Sequence, residues 1–146
     1  MRLIALTHDL GHAPFSHASE DVLPEGLEHE DFTEKIILET KIGEYINEIG
    51  QIFVKSYGEE YNITPELICD IYRGRVKDKN LIFLKKFMDS ELDVDKMDYL
   101  LRDSLYCGVS YGKYDLERLI SSLTIYQQNG PSPSLRIIKS LLYQCS

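Results

Sequence analysis

Cysteine is scarce in this chain, and its placement excludes the usual cysteine-based frameworks. The 146 residues contain three cysteines, Cys69, Cys107 and Cys145, which lie far apart and form no C-x-x-C pair. An odd number at such spacings indicates neither a zinc ribbon nor a disulfide scaffold. We therefore expect reduced, buried cysteines and a cytoplasmic protein.

Positive charge is also scarce. Sixteen Lys and Arg stand against 24 Asp and Glu, a net charge of −8 at pH 7. This balance argues against general nucleic-acid binding, which requires many cations to neutralise phosphates. A phosphate substrate would need a metal ion or a few local basic side chains. The basic run 73–79 is one candidate, but we interpret it as a solvated loop between helices.

Long apolar runs are absent. No stretch approaches the length that crosses a bilayer, and the first residues lack the small-residue cleavage site of a signal peptide. We therefore expect no membrane partner.

The pattern that is present is helical nearly throughout, which predicts the all-α class. Residues 41–57 carry apolar side chains at spacings of three and four, as in an amphipathic helix: Ile42, Tyr45, Ile46, Ile49, Ile52 and Phe53. Thr64 and Pro65 mark the start of a further helix, and Gly74 marks its end.

A later helix, ending near Tyr106, is predicted to begin with a capping box of Ser90 and Asp93. Four of its side chains form an apolar stripe that we expect to pack on the core: Val94, Met97, Leu101 and Leu105. Another face carries Asp95, Tyr99, Arg102 and Tyr106. That face suits either a functional site or a solvated surface with an Asp98–Arg102 ion pair.

Three of the four histidines lie between Thr7 and His17. His8 and His12 have the i,i+4 spacing that places two side chains on one side of a helix, and Asp9 follows His8 directly. We expect Pro14 to bend or restart that helix. Histidines clustered with a carboxylate favour a metal or phosphate site over simple packing.

These residues carry a family resemblance. "HDLGHAPFSH", then "LEHED", then "LDVDKMDYLLRDSLYCGVSYG" resemble the HD-domain phosphohydrolases. The resemblance favours the dGTPase-like branch, which hydrolyses deoxynucleoside triphosphates to deoxynucleoside and inorganic triphosphate. It implies an enzyme with a partial HD-domain helical bundle over residues 1–126. Residues 127–146 would form a turn and a short divergent tail.

The resemblance also implies roles for individual residues. The implied metal ligands are His8, Asp9 and Asp95. His12 is implied for phosphate binding. His17 or His29, with Glu30 next to His29, is implied for proton transfer. Tyr99 and Asp103 are implied for contact with the deoxyribose. The implied cofactor is a divalent metal (Mg, Mn, Fe, Zn or Ni), since imidazole and carboxylate suit such ions. The implied partners are a dNTP substrate and further copies of the chain in a homo-oligomer.

The chain departs from the family pattern in one ligand. The family also uses a histidine upstream of the HD pair, and no histidine precedes His8 here. We expect a piece of a longer domain, or a truncated gene product, that by itself binds metal weakly and turns over slowly or not at all.

Two rival interpretations remain open. "HDLGH" resembles the zinc-protease helix H-E-x-x-H, although Asp9 is shorter than the usual glutamate and Gly11 weakens a helix. The second rival is a degenerate, non-catalytic HD domain that binds a nucleotide or serves in assembly.

Overall fold

A computed structural model of the chain describes residues 1–88, 90, 92–126 and 134–137. The chain divides into two units, Met1–Val76 and Lys77–Ser146. Helices dominate both, which confirms the predicted all-α class. Among the described residues, no helix has both the length and the apolar character needed to cross a membrane.

The first unit contains four α-helices and two short 3₁₀ helices. The α-helices are α1 (Arg2–Thr7), α2 (His29–Glu39), α3 (Lys41–Tyr57) and α4 (Pro65–Arg73). The 3₁₀ helices are Ser16–Val22 and Glu59–Tyr61. Helix α2 packs against both α3 and α4, and α1 packs against α4. The buried apolar side chains of this unit are Ile4, Ile37, Ile46, Ile68, Cys69 and Ile71.

Helix α4 begins and ends as its sequence predicts. The Thr64 hydroxyl accepts a hydrogen bond from the amide of Leu67 at 3.1 Å, and Pro65 occupies the first helical position. Gly74 ends the helix with φ +70°, a left-handed conformation that favours glycine. Local sequence therefore determines both ends of the helix that carries Arg73.

Helix α3 has the predicted bounds, but its buried face differs from the predicted one. Of the six apolar side chains expected to form that face, Ile46 is buried, whereas Tyr45 and Ile52 are 58% and 60% exposed. Gly43 and Gly50 are buried on the same face as Ile46. A Cβ at Gly50 would overlap the carbonyl oxygen of Ile63, so the absence of a side chain permits this close approach.

The second unit contains α5 (Lys79–Lys86), α6 (Val94–Tyr106), α7 (Leu116–Ser122) and an antiparallel hairpin of β1 (Leu123–Tyr126) and β2 (Ser134–Ile137). Leu123 lies opposite Ile137, and Tyr126 lies opposite Ser134. This hairpin was not predicted. The proposed domain boundary after residue 126 falls between its strands and stays a prediction, and residues 127–133 and 138–146 lie outside the described residues.

Helix α6 corrects two expectations. Asp93, rather than Ser90, is its N-cap: the Asp93 carboxylate accepts from the Lys96 amide at 2.7 Å, while the Ser90 hydroxyl donates to the carbonyl of Leu92. The predicted apolar stripe is buried at Met97, but Leu105 is 74% exposed. The stripe is therefore only partly covered within its unit.

The cysteines also differ from expectation in one case. Cys69 is buried, and burial raises the pKa of its thiol to about 11. Cys107 is exposed as a free cysteine immediately after α6, so the expectation of buried cysteines is wrong there. Cys145 lies outside the described residues.

Candidate functional site

His8 and His12 do not share a helix, and His17 lies in a separate 3₁₀ helix. Helix α1 ends at Thr7, and His8 is its C-cap. Residues 8–11 form turns, and the 3₁₀ helix Ser16–Val22 begins at a left-handed turn, in which Phe15 and Ser16 have φ values of +72° and +51°. The expectation that His8 and His12 project from one helix is therefore wrong. The zinc-protease interpretation, which needs that helix, fails with it.

A single hydroxyl fastens this turn to helix α2. The amide of Gly11 donates to Thr33 Oγ1 at 2.9 Å, and the same hydroxyl donates to the carbonyl of His8 at 3.1 Å. Thr33 is fully buried. A Cβ at Gly11 would overlap the His29 carbonyl oxygen, so the glycine allows the turn to lie directly on the first turn of α2.

The HD pair and His12 meet around one carboxylate oxygen. Asp9 Oδ1 lies 3.2 Å from His8 Nε2 and 3.5 Å from His12 Nε2. His8 Nδ1 lies 2.9 Å from the carbonyl oxygen of Ala5. Because a carbonyl only accepts, Nδ1 carries the proton in the neutral ring and Nε2 carries the lone pair. A backbone carbonyl that fixes the tautomer in this way is typical of metal-binding histidines.

The other three histidines form a second cluster, which α2 and the 3₁₀ helix bring together. The rings of His12 and His29 stack with centroids 3.9 Å apart, and His17 meets each of them edge-on, at 4.8 Å and 5.4 Å. Glu20 Oε1 lies 3.0 Å from His17 Nδ1 and 2.5 Å from His29 Nδ1. We call His12, His17, Glu20 and His29 the histidine–glutamate cluster.

Sequence reasoning missed Glu20. Its spacing of three residues from His17 was a signal that the two side chains could meet, but the approach to His29 depends on the left-handed turn at Phe15 and Ser16. Hydrogen bonds from His17 and His29 lower the pKa of the Glu20 carboxyl, and the bond from His17 has the larger effect. An ionised carboxylate only accepts, so His17 and His29 each present an Nδ1–H to it.

The environment of His12 favours its neutral form. Burial, followed by the neighbouring His29, lowers the pKa of His12. Within the part of the chain that the structure describes, His12 Nδ1 is a buried atom without a hydrogen-bond partner. A neutral imidazole is a ligand for a metal ion and a weak partner for a phosphate oxygen that has no other cation nearby.

Glu30, which was predicted to assist proton transfer, follows His29 on α2 and takes part in a network of ion pairs. Its Oε2 accepts from Arg73 Nη1 at 2.7 Å, and Arg73 also pairs with Asp31 and Glu34. Arg75 pairs with Glu34 and with Asp70. Residues 74–78 of the basic run form a loop between α4 and α5, and Arg75 is exposed there, as expected. The interpretation as a solvated loop is wrong at Arg73, which is the last residue of α4 and joins it to α2.

The remaining predicted site residues lie on α6 in the second unit. Asp95 is in the first turn, and Tyr99 and Asp103 follow at intervals of four residues, so the three share one face of the helix. The predicted Asp98–Arg102 ion pair is confirmed at 2.8 Å. That Asp95 joins His8 and Asp9 at one metal stays a prediction.

Comparison with known proteins gives the chain a set of relatives, although no family model matches it. An uncharacterized protein of Bacillus subtilis, YwfO, is 39% identical over 117 residues, covering 80% of this chain and 23% of that protein. A putative HD domain-containing protein of Acanthamoeba polyphaga mimivirus is 29% identical over 137 residues, covering 88% of this chain and 27% of that protein. The chain is similar to HD-domain proteins.

Two further comparisons extend this similarity. The deoxynucleoside triphosphate triphosphohydrolase SAMHD1 of Gallus gallus is 31% identical over 138 residues, covering 82% of this HD-like chain and 22% of that enzyme. A hypothetical protein from Aquifex aeolicus with a crystal structure is 40% identical, with a TM-score of 0.63 over 93% of this chain and 34% of that one. The chain spans roughly a quarter of the length of the curated relatives it matches.

Proposed function

We propose that this chain is the metal- and phosphate-binding part of an HD-superfamily phosphohydrolase that converts a deoxynucleoside triphosphate to deoxynucleoside and triphosphate. The relatives support the substrate class, since they include an HD domain-containing protein and deoxynucleoside triphosphate triphosphohydrolases. The dGTP-like preference rests on the motif resemblance alone.

One observation carries the proposal: Asp9 Oδ1 lies beside the Nε2 atoms of both His8 and His12, while Ala5 fixes the tautomer of His8. An oriented imidazole next to a carboxylate is a donor set that suits a divalent metal, so the residues present fit the implied cofactor. His8 and Asp9 would hold it, with Asp95 as the predicted third ligand. A bound divalent metal lowers the pKa of a water molecule and offsets phosphate charge.

The histidine–glutamate cluster supplies the remaining chemistry. His12, close to Asp9, is the proposed phosphate contact. Glu20 accepts hydrogen bonds from the Nδ1–H groups of His17 and His29, which orients their Nε2 atoms away from the carboxylate. A proton held at Nε2 of either ring is the proposed source for the leaving oxygen of the deoxynucleoside.

The roles of the other predicted residues follow from the resemblance. Tyr99 and Asp103 are proposed to contact the deoxyribose from their shared face of α6. Glu30 is proposed to support His29, although Arg73 engages its carboxylate in this structure. A homo-oligomer and a cytoplasmic location belong to the same proposal.

The test is the release of inorganic triphosphate from dGTP in the presence of Mn²⁺, for the wild-type protein and for Asp9→Asn. We expect product that requires metal and falls at least a hundredfold in the variant. Asp98→Asn is the matched control, because Asp98 is exposed and pairs only with Arg102 among its described ion pairs. Nucleotide binding without product in the wild type would favour the non-catalytic HD module instead.

A further inference from the structure

We infer that the histidine–glutamate cluster binds a transition-metal ion of the Zn²⁺ class, at a site separate from the proposed metal position at His8 and Asp9. One ligand atom from each of His12, His17, Glu20 and His29 lies within 4.8 Å of every other. All four residues belong to the first unit, so the site is complete there. Three imidazoles and one carboxylate are a donor set typical of zinc.

The geometry requires only small shifts of the ligand atoms: the widest pair moves closer together, and Glu20 Oε1 moves away from the two Nδ1 atoms that lie 3.0 Å and 2.5 Å from it. Ligand atoms of a tetrahedral zinc site lie about 3.4 Å apart, which follows from bonds of roughly 2.1 Å. No separation in the cluster is greater than 4.8 Å, so none exceeds this value by more than about 1.4 Å. His12 and His29 are held by stacking, with side chains 13% and 19% exposed. The His17 side chain is 73% exposed and can swing inward.

The local chemistry favours a cation over a simple packing role. The Glu20 carboxylate accepts hydrogen bonds from two imidazole N–H groups. A zinc ion would replace those two protons and bond directly to the imidazole nitrogens and the carboxylate oxygen. The buried Nδ1 of His12, without a hydrogen-bond partner in the described part of the chain, provides a further donor atom. A packed histidine ordinarily satisfies such an atom.

Zinc binding at this cluster has a regulatory consequence, which rests on the proposed function. The ion occupies the lone pairs of His12, His17 and His29, the same imidazoles that the proposed hydrolysis uses for phosphate binding and proton transfer. Micromolar zinc is therefore expected to inhibit an enzyme that is otherwise supported by Mn²⁺.

The experiment titrates Zn²⁺ into chelator-treated protein by calorimetry, with Co²⁺ absorption as a check on four-coordinate geometry. We expect a zinc site whose affinity falls at least tenfold in His17→Gln and stays within threefold in His8→Gln. His17 is the chosen ligand because its side chain is exposed, so its replacement leaves the packed interior intact. Equal affinity in His17→Gln and wild type, or loss of all zinc binding in His8→Gln, would overturn the inference.

A second measurement needs no variant. In the imidazole NMR spectrum of the wild-type protein, one equivalent of Zn²⁺ is expected to shift three of the four histidine ring signals and leave that of His8. Movement of the His8 signal alone, or of none, contradicts the site. Because both readouts measure binding, they stay decisive if the protein hydrolyses no nucleotide, and in that case only the proposed function fails.

Discussion

Replacing Thr33 by Val tests whether one hydroxyl holds the histidine-rich turn on helix α2. Valine keeps the shape of the side chain, so the change removes the hydroxyl without opening a cavity. It deprives the Gly11 amide and the His8 carbonyl of their partner at a position that is fully buried. Leaving two partly buried polar groups unsatisfied is expected to cost about 2–3 kcal/mol of the free energy of unfolding.

The matched control is Thr33→Ser, which retains the hydroxyl and loses one methyl group, at an expected cost of about 1 kcal/mol. Urea denaturation of both variants compares midpoints at a common slope. We expect Thr33→Val to be the less stable by about 1–2 kcal/mol, because hydrogen bonding outweighs the methyl contact. Equal stability, or a more stable valine variant, would refute the conclusion that the hydroxyl fastens the turn.

Three further predictions test other contacts. Gly11→Ala forces a Cβ into the backbone of α2 and should lower the free energy of unfolding by about 3 kcal/mol. The control Gly26→Ala should lower it by about 1 kcal/mol, because the φ of +83° is unfavourable for alanine but the new Cβ meets nothing within 4 Å. Urea midpoints measure both variants, and similar costs would contradict the close approach at Gly11. Glu34→Gln should cost about 1 kcal/mol at pH 7. Hydrogen bonds from Arg75, above all, lower the pKa of Glu34. The stability that Glu34 contributes is therefore present above its unfolded-state pKa and is lost as the pH falls through its folded-state pKa. The unfolding free energies of the wild type and Glu34→Gln should converge from pH 7 down to about pH 3, and a constant difference would argue against the ion pair. Asp93→Ala deletes the N-cap of α6 and should lower the free energy of unfolding by about 1–2 kcal/mol. Asp93→Asn keeps an acceptor for the Lys96 amide and should lose less stability. Thermal melting that ranks the two variants in the opposite order would refute the capping role.

The elements that the sequence predicts well are those determined by local chemistry. The start and end of α4 follow from Thr64, Pro65 and Gly74, and each acts within a few residues of its own position. The bounds of α3 follow in the same way from its periodicity. The hairpin of β1 and β2 had a signal too, since turn residues separate two short apolar runs, but the prediction placed the second run in a short divergent tail.

The parts that could not be predicted depend on contacts between distant residues. Hydrophobic periodicity ignores glycine, so it selected Tyr45 and Ile52 for the buried face of α3 and passed over Gly50. Arg73 meets Glu30 across 43 positions in the sequence, a pairing that composition cannot assign. The chemistry of the histidines was indicated by their types, yet their common partner Glu20 became visible only with the turn that brings it to His29.

The glycine face of α3 reverses the usual relation between residue size and tolerance to change. At Gly43 and Gly50 even a methyl group meets a neighbouring carbonyl oxygen, so the smallest residues of this helix are the ones that cannot vary. Its largest side chains, such as Tyr45 and Ile52, project outward and are free to change without disturbing the interior. A randomised library of this helix should therefore retain folded clones that differ at its aromatic and branched positions and share its glycines.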